Sequence, residues 1–350
     1  MKPVFCISLL ISMLFSCSLN TGKQYIVYKS FPEEKTLKSE VIPLDTALFR
    51  YPFRITVRDS IAIVLDLHNA DHYLHAFSYP EWKHIVSFGK RGEGPEELLS
   101  AETFQVDALG SVWVLDANRM QLTRWRISTR ERLAERLEEV NLDKSLIRVL
   151  DFYVTETGFL FPDYSGEYRF HRTNRQGKRL QSEGRIPTEK IAKDAFNPAL
   201  AQAWRSFMDC HPRHDLLAMA TQLGEVIELY HLNDTTRTVV RGPHDEPEFR
   251  VIEGEGIPTG IMGFSDIQIT DNHIYAVFHG RTFKEIQIAY QKGEKPESGG
   301  RYIYVFDLNG NPVRKYTLDR AIYGIDVNEQ ARTILATDVN SDEPIVQIKF

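Results

Sequence analysis

The chain has 350 residues, with 42 basic and 48 acidic side chains and a formal net charge of −6. Apolar residues make up 42% and charged residues 26%, an ordinary globular composition that argues against disorder over most of the length. No run of five like charges and no basic stripe interleaved with aromatics occurs. That excludes the phosphate-neutralising surface a nucleic-acid binder needs.

Residues 1–17 read as an export signal, not as folded structure. Lys2 gives a positive start, and Val4 to Phe15 is an apolar stretch of twelve residues, short of the about twenty that span a bilayer. Leu14-Phe15-Ser16-Cys17 resembles a bacterial lipobox, with Phe15 where a small residue is usual. The expectation is a lipoprotein acylated on Cys17, with residues 18–38 as a tether and acyl chains as its only hold on the membrane. An ordinary secretory signal is the alternative. No cluster of Asp or Glu follows Cys17, which points to the periplasm-facing side of a bacterial cell envelope. Cys6 lies in the leader, so Cys210 is the one thiol left in the body and has no intramolecular partner. It reads as a small buried strand residue, since His211 beside it points to the opposite face.

A signature of polar, apolar, any and usually apolar residue recurs six times. It is Arg54-Ile55-Thr56-Val57, Thr103-Phe104-Gln105-Val106, Asp151-Phe152-Tyr153-Val154, Ser206-Phe207-Met208-Asp209, Asp266-Ile267-Gln268-Ile269 and Gly324-Ile325-Asp326-Val327. The steps run from 48 to 60 residues with a mean of 54, and a period near fifty with strand-like content marks a radial β array. A second apolar run follows in every unit, for example Ile61–Leu65, Leu216–Ala220 and Ile274–Phe278. Such runs suit strands covered on both faces. Third strands alternate, as in Val226–Tyr230, and fourth strands are the most polar, as in Pro312–Tyr316. Asp307-Leu308-Asn309-Gly310-Asn311 joins a third to a fourth strand through an Asn-Gly turn. Helical character is confined to Arg130–Glu139 and to Thr188–Phe207, the latter interrupted at Asn197-Pro198. The gradient predicts an all-β, six-bladed β-propeller with four-stranded blades over residues 39–350. The last unit holds only three strands, so Ser39–Leu44 is expected to supply its outer strand and close the ring. Pro43 is tolerable on that free edge.

Ser87-Phe88-Gly89-Lys90-Arg91-Gly92-Glu93-Gly94-Pro95-Glu96-Glu97-Leu98 resembles the F-G-x-x-G-x-G-P-x-E-F/L loop of six-bladed, TolB-like propeller lipoproteins. NHL-type propellers carry a similar loop, and Arg241–Phe249 is a degenerate second copy here. The resemblance implies the propeller fold and an envelope location, not a reaction. It places the loop between the outer strand of one blade and the inner strand of the next. In the residues themselves, Gly89, Gly92 and Gly94 permit positive φ in a tight connection. Lys90 and Arg91 could face a phosphate, but Glu93, Glu96 and Glu97 oppose an anion.

Propeller geometry puts the residues that open the inner strands, Arg54, Thr103, Asp151, Ser206, Asp266 and Gly324, at one mouth of the central channel. Asp66, Asp116 and Asp163 end second strands on the same face, with Arg91 and Arg119 in neighbouring loops. The expected binding face is therefore Arg54, Asp66, Arg91, Asp116, Arg119, Asp151, Asp163 and Asp266, an acidic funnel for a cation, sugar or peptide. The competing reading is that these aspartates cap turns and pair with the arginines. His68, His72 and His75 fall on a loop and a strand and read as solvated edge residues, not metal ligands. No zinc-helix, Cys-x-x-Cys, Gly-x-Ser-x-Gly or Walker pattern occurs. No cofactor is expected; a divalent cation, if held, would sit at Asp151 and Asp266. The gluconolactonase group shares the blade count, and similarity to it would imply an axial ion held by Glu, Asp and Asn. The axial positions here include aspartates but neither Asn nor Glu. The expected function is a non-catalytic, monomeric envelope lipoprotein whose propeller face binds a partner protein, peptide or glycan. A metal-dependent hydrolase or lactonase is the alternative.

Overall fold

The computed structural model of the chain describes residues 24–44, 49–189, 197–211, 213–234 and 236–350; the leader and Cys17 lie outside them. Three short strands come first: β1 (Gln24–Val27), β2 (Glu33–Leu37) and β3 (Ser39–Val41). Blade 1 is the antiparallel meander β4 (Pro52–Arg58), β5 (Ile61–Asp66), β6 (His72–Ser78) and β7 (His84–Lys90). Blade 2 is β8 (Ala101–Val106), β9 (Val112–Asp116), β10 (Gln121–Ser128) and β11 (Leu133–Asn141). Blade 3 is β12 (Tyr153–Val154), β13 (Gly158–Pro162), β14 (Phe170–Asn174) and β15 (Arg179–Glu183). A short helix, α1 (Asn197–Ala203), precedes blade 4, which is β16 (Ser206–His211), β17 (Leu216–Thr221), β18 (Val226–His231) and β19 (Arg237–Arg241). The hairpin β20 (Phe249–Ile252) and β21 (Glu255–Pro258) separates it from blade 5. Blade 5 is β22 (Phe264–Ile269), β23 (His273–Phe278), β24 (Gly300–Asp307) and β25 (Pro312–Ile322), with α2 (Phe283–Gln291) between its second and third strands. Blade 6 is β26 (Ile325–Asn328), β27 (Thr333–Thr337) and β28 (Ile345–Lys349).

The inner strands touch in order, β4 to β8, β12, β16, β22 and β26, and β26 returns to β4. The ring is therefore closed with six blades. Second strands are the most buried: every residue of β9 and β17 is inside. Their branched and aromatic side chains interdigitate between neighbouring sheets. Blades 4 and 5 share Phe207, Leu216 and Ala218 with Phe264, Ile274 and Phe306. Blades 5 and 6 share Tyr275, Val305 and Tyr316 with Ile325, Ile334 and Val346.

The closing strand forms as expected. β3 pairs antiparallel with β28, Val41 opposite Val346 and Ser39 opposite Ile348, completing blade 6 to four strands. The expected tether is structured further upstream. β1 adds to β19 in parallel, Gln24 opposite Thr238 through Val27 opposite Arg241. β2 adds to β25 in parallel, Glu33 opposite Arg314 through Leu37 opposite Leu318. Blades 4 and 5 thus have five strands, and residues 24–41 form a belt along three consecutive blades. Between its strands, Tyr28 and Phe31 turn inward. The Tyr28 hydroxyl donates to Glu225 Oε1 at 2.6 Å. Phe31 packs on Tyr304 and Phe306, with ring centroids 4.7 and 5.5 Å away.

Two helical expectations are corrected. Arg130–Glu139 is largely the outer strand β11, paired with β10 from Gln121 opposite Asn141 to Ser128 opposite Leu133. Its Glu, Arg and Leu favour helix, but the hydrogen-bonding edge of β10 outweighs propensity, and a free outer edge tolerates charge. Among the described residues of the second stretch, helix covers Asn197–Ala203, where Pro198 sits in the first turn and its missing N–H costs nothing.

The Gly-rich loop joins β7 to β8. Gly89 has φ +64°, and a Cβ on Gly92 would lie 1.9 Å from Glu97 Oε2. That carboxylate accepts from Gly94 N at 2.9 Å and from Lys90 Nζ at 2.6 Å. Glu97 fills the concavity an anion would need, so the loop is a stapled turn.

Candidate functional site

The inner strands are sheet edges, and their N–H groups face a channel with no neighbouring strand to accept them. Acids supply the acceptors. Asp151 Oδ2 accepts from Met208 N at 3.1 Å, Asp209 Oδ2 from Ile269 N at 2.7 Å, and Asp266 Oδ2 from Ile325 N at 2.8 Å. Asp326 Oδ2 accepts from Val57 N at 2.5 Å, and Gln268 Oε1 from Val327 N at 2.7 Å. Each carboxylate reaches the next blade, stitching the seams from blade 3 round to blade 1. Arg54 is the cation among them. Its Nε lies 3.3 Å from Asp266 Oδ1, and its guanidinium sits 4.0 and 4.6 Å from the rings of Phe53 and Phe207. The structure therefore brings together Arg54, Asp151 and Asp266 as expected, and adds Asp209 and Asp326.

Burial dominates the acidity of these groups. It pushes Asp151 and Asp209 up to about 7 and Asp326 to about 6, and raises Asp266 as well, against the pull of Arg54 on Asp151 and Asp266. An unfolded aspartate titrates near 3.9. Between about pH 4 and 7 the folded state then holds more protons than the unfolded chain, so this contribution to stability is complete at about pH 4 and falls as pH rises to about 7. Asp209→Asn removes one such group while keeping an acceptor. The melting temperature of the variant relative to wild type is expected to climb from pH 4 to pH 8. A constant difference across that range would contradict the assignment.

The other expected residues lie in blade corners. Asp66 accepts from the N–H groups of Arg50, Tyr51 and His68, and Asp116 from those of Leu99, Ser100 and Arg119. Asp163 accepts from Ser165, Tyr168 and the ring of His171, hydrogen bonds that hold its carboxyl well below the usual range. Arg91 donates to the carbonyls of Leu67 and Asn69, and Arg119 to that of Gly94. These aspartates cap turns, which is the competing reading of the sequence. Thr103 and Ser206 are buried in their inner strands.

The expected solvated histidines are corrected in part. His75 is buried, its Nδ1 2.8 Å from Ser87 Oγ, and burial pushes it down to about 4. Cys210 is buried at the seam of blades 3 and 4 with Leu160 and Met219, and burial pushes its thiol well up. Among the described residues, no group of three or more His, Cys, Asp and Glu is arranged to hold a metal ion.

Sequence reasoning missed a concavity at the channel mouth. Three connections are longer than the rest, 184–205, 242–263 and 279–299, and described residues of each stand on the face where inner strands begin. They surround a cavity of about 490 Å³ above the channel mouth. Phe207, Phe264, Tyr51 and Tyr323 form its base; Phe283, Ile286 and Tyr290 of α2 form one wall; Gln202, Arg205 and Gln222 bring polar groups. A capping box fixes the start of α2: Thr282 Oγ1 accepts from Glu285 N at 3.1 Å and Glu285 Oε2 from Thr282 N at 2.8 Å. Thr282-x-x-Glu285 was the available signal for that helix. His279 accepts from Arg281 N at 3.2 Å, and burial with the nearby Arg281 charge pushes it down to about 4. It is neutral at ordinary pH. Glu297 is paired with Arg301 and Arg281. A second cavity of about 500 Å³ lies around the opposite end of the inner strands. Of its acids, Asp271 pairs with Arg213 and His211, Glu329 with His273 and Asn272, and Asp326 accepts from Val57 N.

Ring, blade count and closing strand define a six-bladed β-propeller. The sequence matches the family described as TolB-like 6-blade propeller-like over residues 30–330, and the chain belongs to that family. No curated protein matches the sequence. Among solved structures, a protein described as exported from Bacteroides fragilis NCTC 9343 is similar, with TM-score 0.54, 11% identity and coverage of 93% of this chain and 98% of that one. A member of the DUF4221 family from Bacteroides vulgatus ATCC 8482 has TM-score 0.52 at 8% identity, covering 90% and 98%. Virginiamycin B lyase from Staphylococcus aureus has TM-score 0.51 at 14% identity, covering 90% and 99%. At such identities the likeness shows the fold alone.

Proposed function

We propose that the protein is a non-catalytic binding lipoprotein of the bacterial cell envelope, exported by its leader, anchored through Cys17 and monomeric. Its ligand, a partner protein, peptide or glycan, engages the face that carries the mouth cavity. The observation behind this reading is that three connections the blade repeat does not require converge to wall one cavity. Its size and aromatic lining are those of a ligand site. The axial aspartates of the alternative, a hydrolase or lactonase with a divalent cation at Asp151 and Asp266, are occupied as acceptors for backbone N–H groups.

The test compares wild type with Ile286→Trp, a change on the rim helix that fills the cavity. Peptide and glycan panels are screened by thermal shift. A ligand at a hundred times its dissociation constant stabilises by about 2.7 kcal/mol, and that shift is expected in wild type and not in the variant. A panel that never distinguishes the two proteins rejects the cavity as the binding site. Metal-dependent lactone hydrolysis abolished by Asp151→Asn would install the alternative.

A further inference from the structure

We infer that the mouth cavity takes a ligand with an aromatic or aliphatic body and a terminal carboxylate, and that Arg205 receives the carboxylate. This rests on the binding reading above and adds the chemistry of the ligand. The cavity wall is mostly apolar, with Phe207, Phe264, Met262, Phe283, Ile286 and Tyr290 supplying the surface a hydrophobic body would cover. Charge inside it is unbalanced in one sense. Arg205 lines the cavity with its charge near the buried Tyr164 hydroxyl, but it forms no ion pair among the described residues. The planar fork of guanidinium N–H donors matches a carboxylate. The acid in the wall, Glu297, is neutralised by Arg301 and Arg281. The acids beneath the floor are turned to backbone N–H groups, and Arg54 stands between them and Phe207. The field offered to a ligand is therefore that of a cation at the end of an apolar slot. Neutral His279 adds no charge, and its ring holds the 279–299 connection in place. A half-enclosed guanidinium strengthens this recognition, because water screens it less than it would at an open surface.

The test uses two fluorescent probes with one skeleton. 8-Anilinonaphthalene-1-sulfonate carries an anion, and N-phenyl-1-naphthylamine lacks it. Wild type is expected to bind the anionic probe at one saturable site and more tightly than the neutral one. Arg205→Gln should weaken the anionic probe roughly ten- to a hundredfold, as expected for loss of a hydrogen-bonded charge, while leaving the neutral probe within about twofold. Arg205→Lys keeps the charge and should retain most of the preference, which keeps the result readable if the Gln variant folds poorly. Equal affinity for the two probes, with both lost in Ile286→Trp, would overturn the carboxylate inference and leave the binding reading intact. Binding of both probes unaffected by Ile286→Trp would overturn the binding reading itself. Displacement of the anionic probe by N-acetyl-diphenylalanine but not by its amide identifies a peptide C-terminus as the source. Displacement by decanoate identifies an acyl carboxylate. Failure of both to compete rejects a carboxylate ligand.

Discussion

Arg169→Met is expected to destabilise the protein by about 3–5 kcal/mol, a loss that adding Glu228→Leu in the same chain should largely recover. Arg169 and Glu228 are 2% and 0% exposed and join blade 3 to blade 4. Arg169 Nε and Nη2 lie 2.8 and 2.7 Å from Glu228 Oε1, Nη2 donates to Ser206 Oγ at 2.8 Å, and Nη1 to the Trp204 carbonyl at 3.2 Å. The second carboxylate oxygen accepts from Tyr230 at 2.6 Å and faces Arg237 at 3.6 Å. Taking both ions out of water is costly, and their attraction roughly offsets that cost when every donor is satisfied. Removing the arginine alone leaves a buried carboxylate with Tyr230 and a distant Arg237, so the desolvation cost stands without compensation. Removing both leaves a seam of similar volume in which Arg237 keeps the Arg185 carbonyl and the Tyr230 hydroxyl as acceptors. Chemical denaturation of wild type, the single variant and the double variant measures the cycle. A single variant within about 1 kcal/mol of wild type would show that water or Arg237 compensates the carboxylate.

Phe31→Ala should cost about 3–5 kcal/mol, the range for a buried phenylalanine whose cavity cannot collapse. The ring is 8% exposed and wedged among Tyr28, Tyr304 and Phe306, with centroids 5.1, 4.7 and 5.5 Å away. Its loss also frees the belt between β1 and β2, because backbone pairing on either side is only four or five residues long. At about 2.1 cal/mol/K of unfolding entropy per residue, a chain of this size loses about 1.4 °C per kcal/mol, so the melting temperature should fall by roughly 5 °C. Unchanged melting would mean that the belt lies on the ring without contributing to it.

The blades were legible because each unit must bury its second strand between two neighbouring sheets, and that requirement writes a long apolar run such as Leu216–Ala220. Closure was legible from a missing strand. The belt was not, since Gln24–Val27 and Glu33–Leu37 are short, polar, edge-paired segments whose partners lie far along the chain. The charged strand β11 looked helical for a related reason: on an outer edge, side-chain composition is set by water and the ladder alone decides the backbone. Among the site residues, Arg54, Asp151 and Asp266 could be placed from the repeat because the inner strand fixes where they point. Asp209 and Asp326 stand further down the same strands and were passed over by reading only the opening position. Arg205 and Gln222 became neighbours of Phe283 through loops whose course no periodic pattern records.

The belt also sets an order in time. Residues 24–41 emerge from the ribosome before everything they bind, and their strand partners follow by roughly 200 to 300 residues. At 5–20 residues per second that is a wait of about 10–60 s. During it, Tyr25, Ile26, Val27, Tyr28 and Phe31 have no sheet to join. Contacts this distant in sequence are slow to form, so docking of the belt belongs to the last stage of folding. It can happen only on a chain whose fourth, fifth and sixth blades already exist. The segment made first thus becomes the lock applied last, and a truncated chain stays unlocked, with the edges of its outermost strands open.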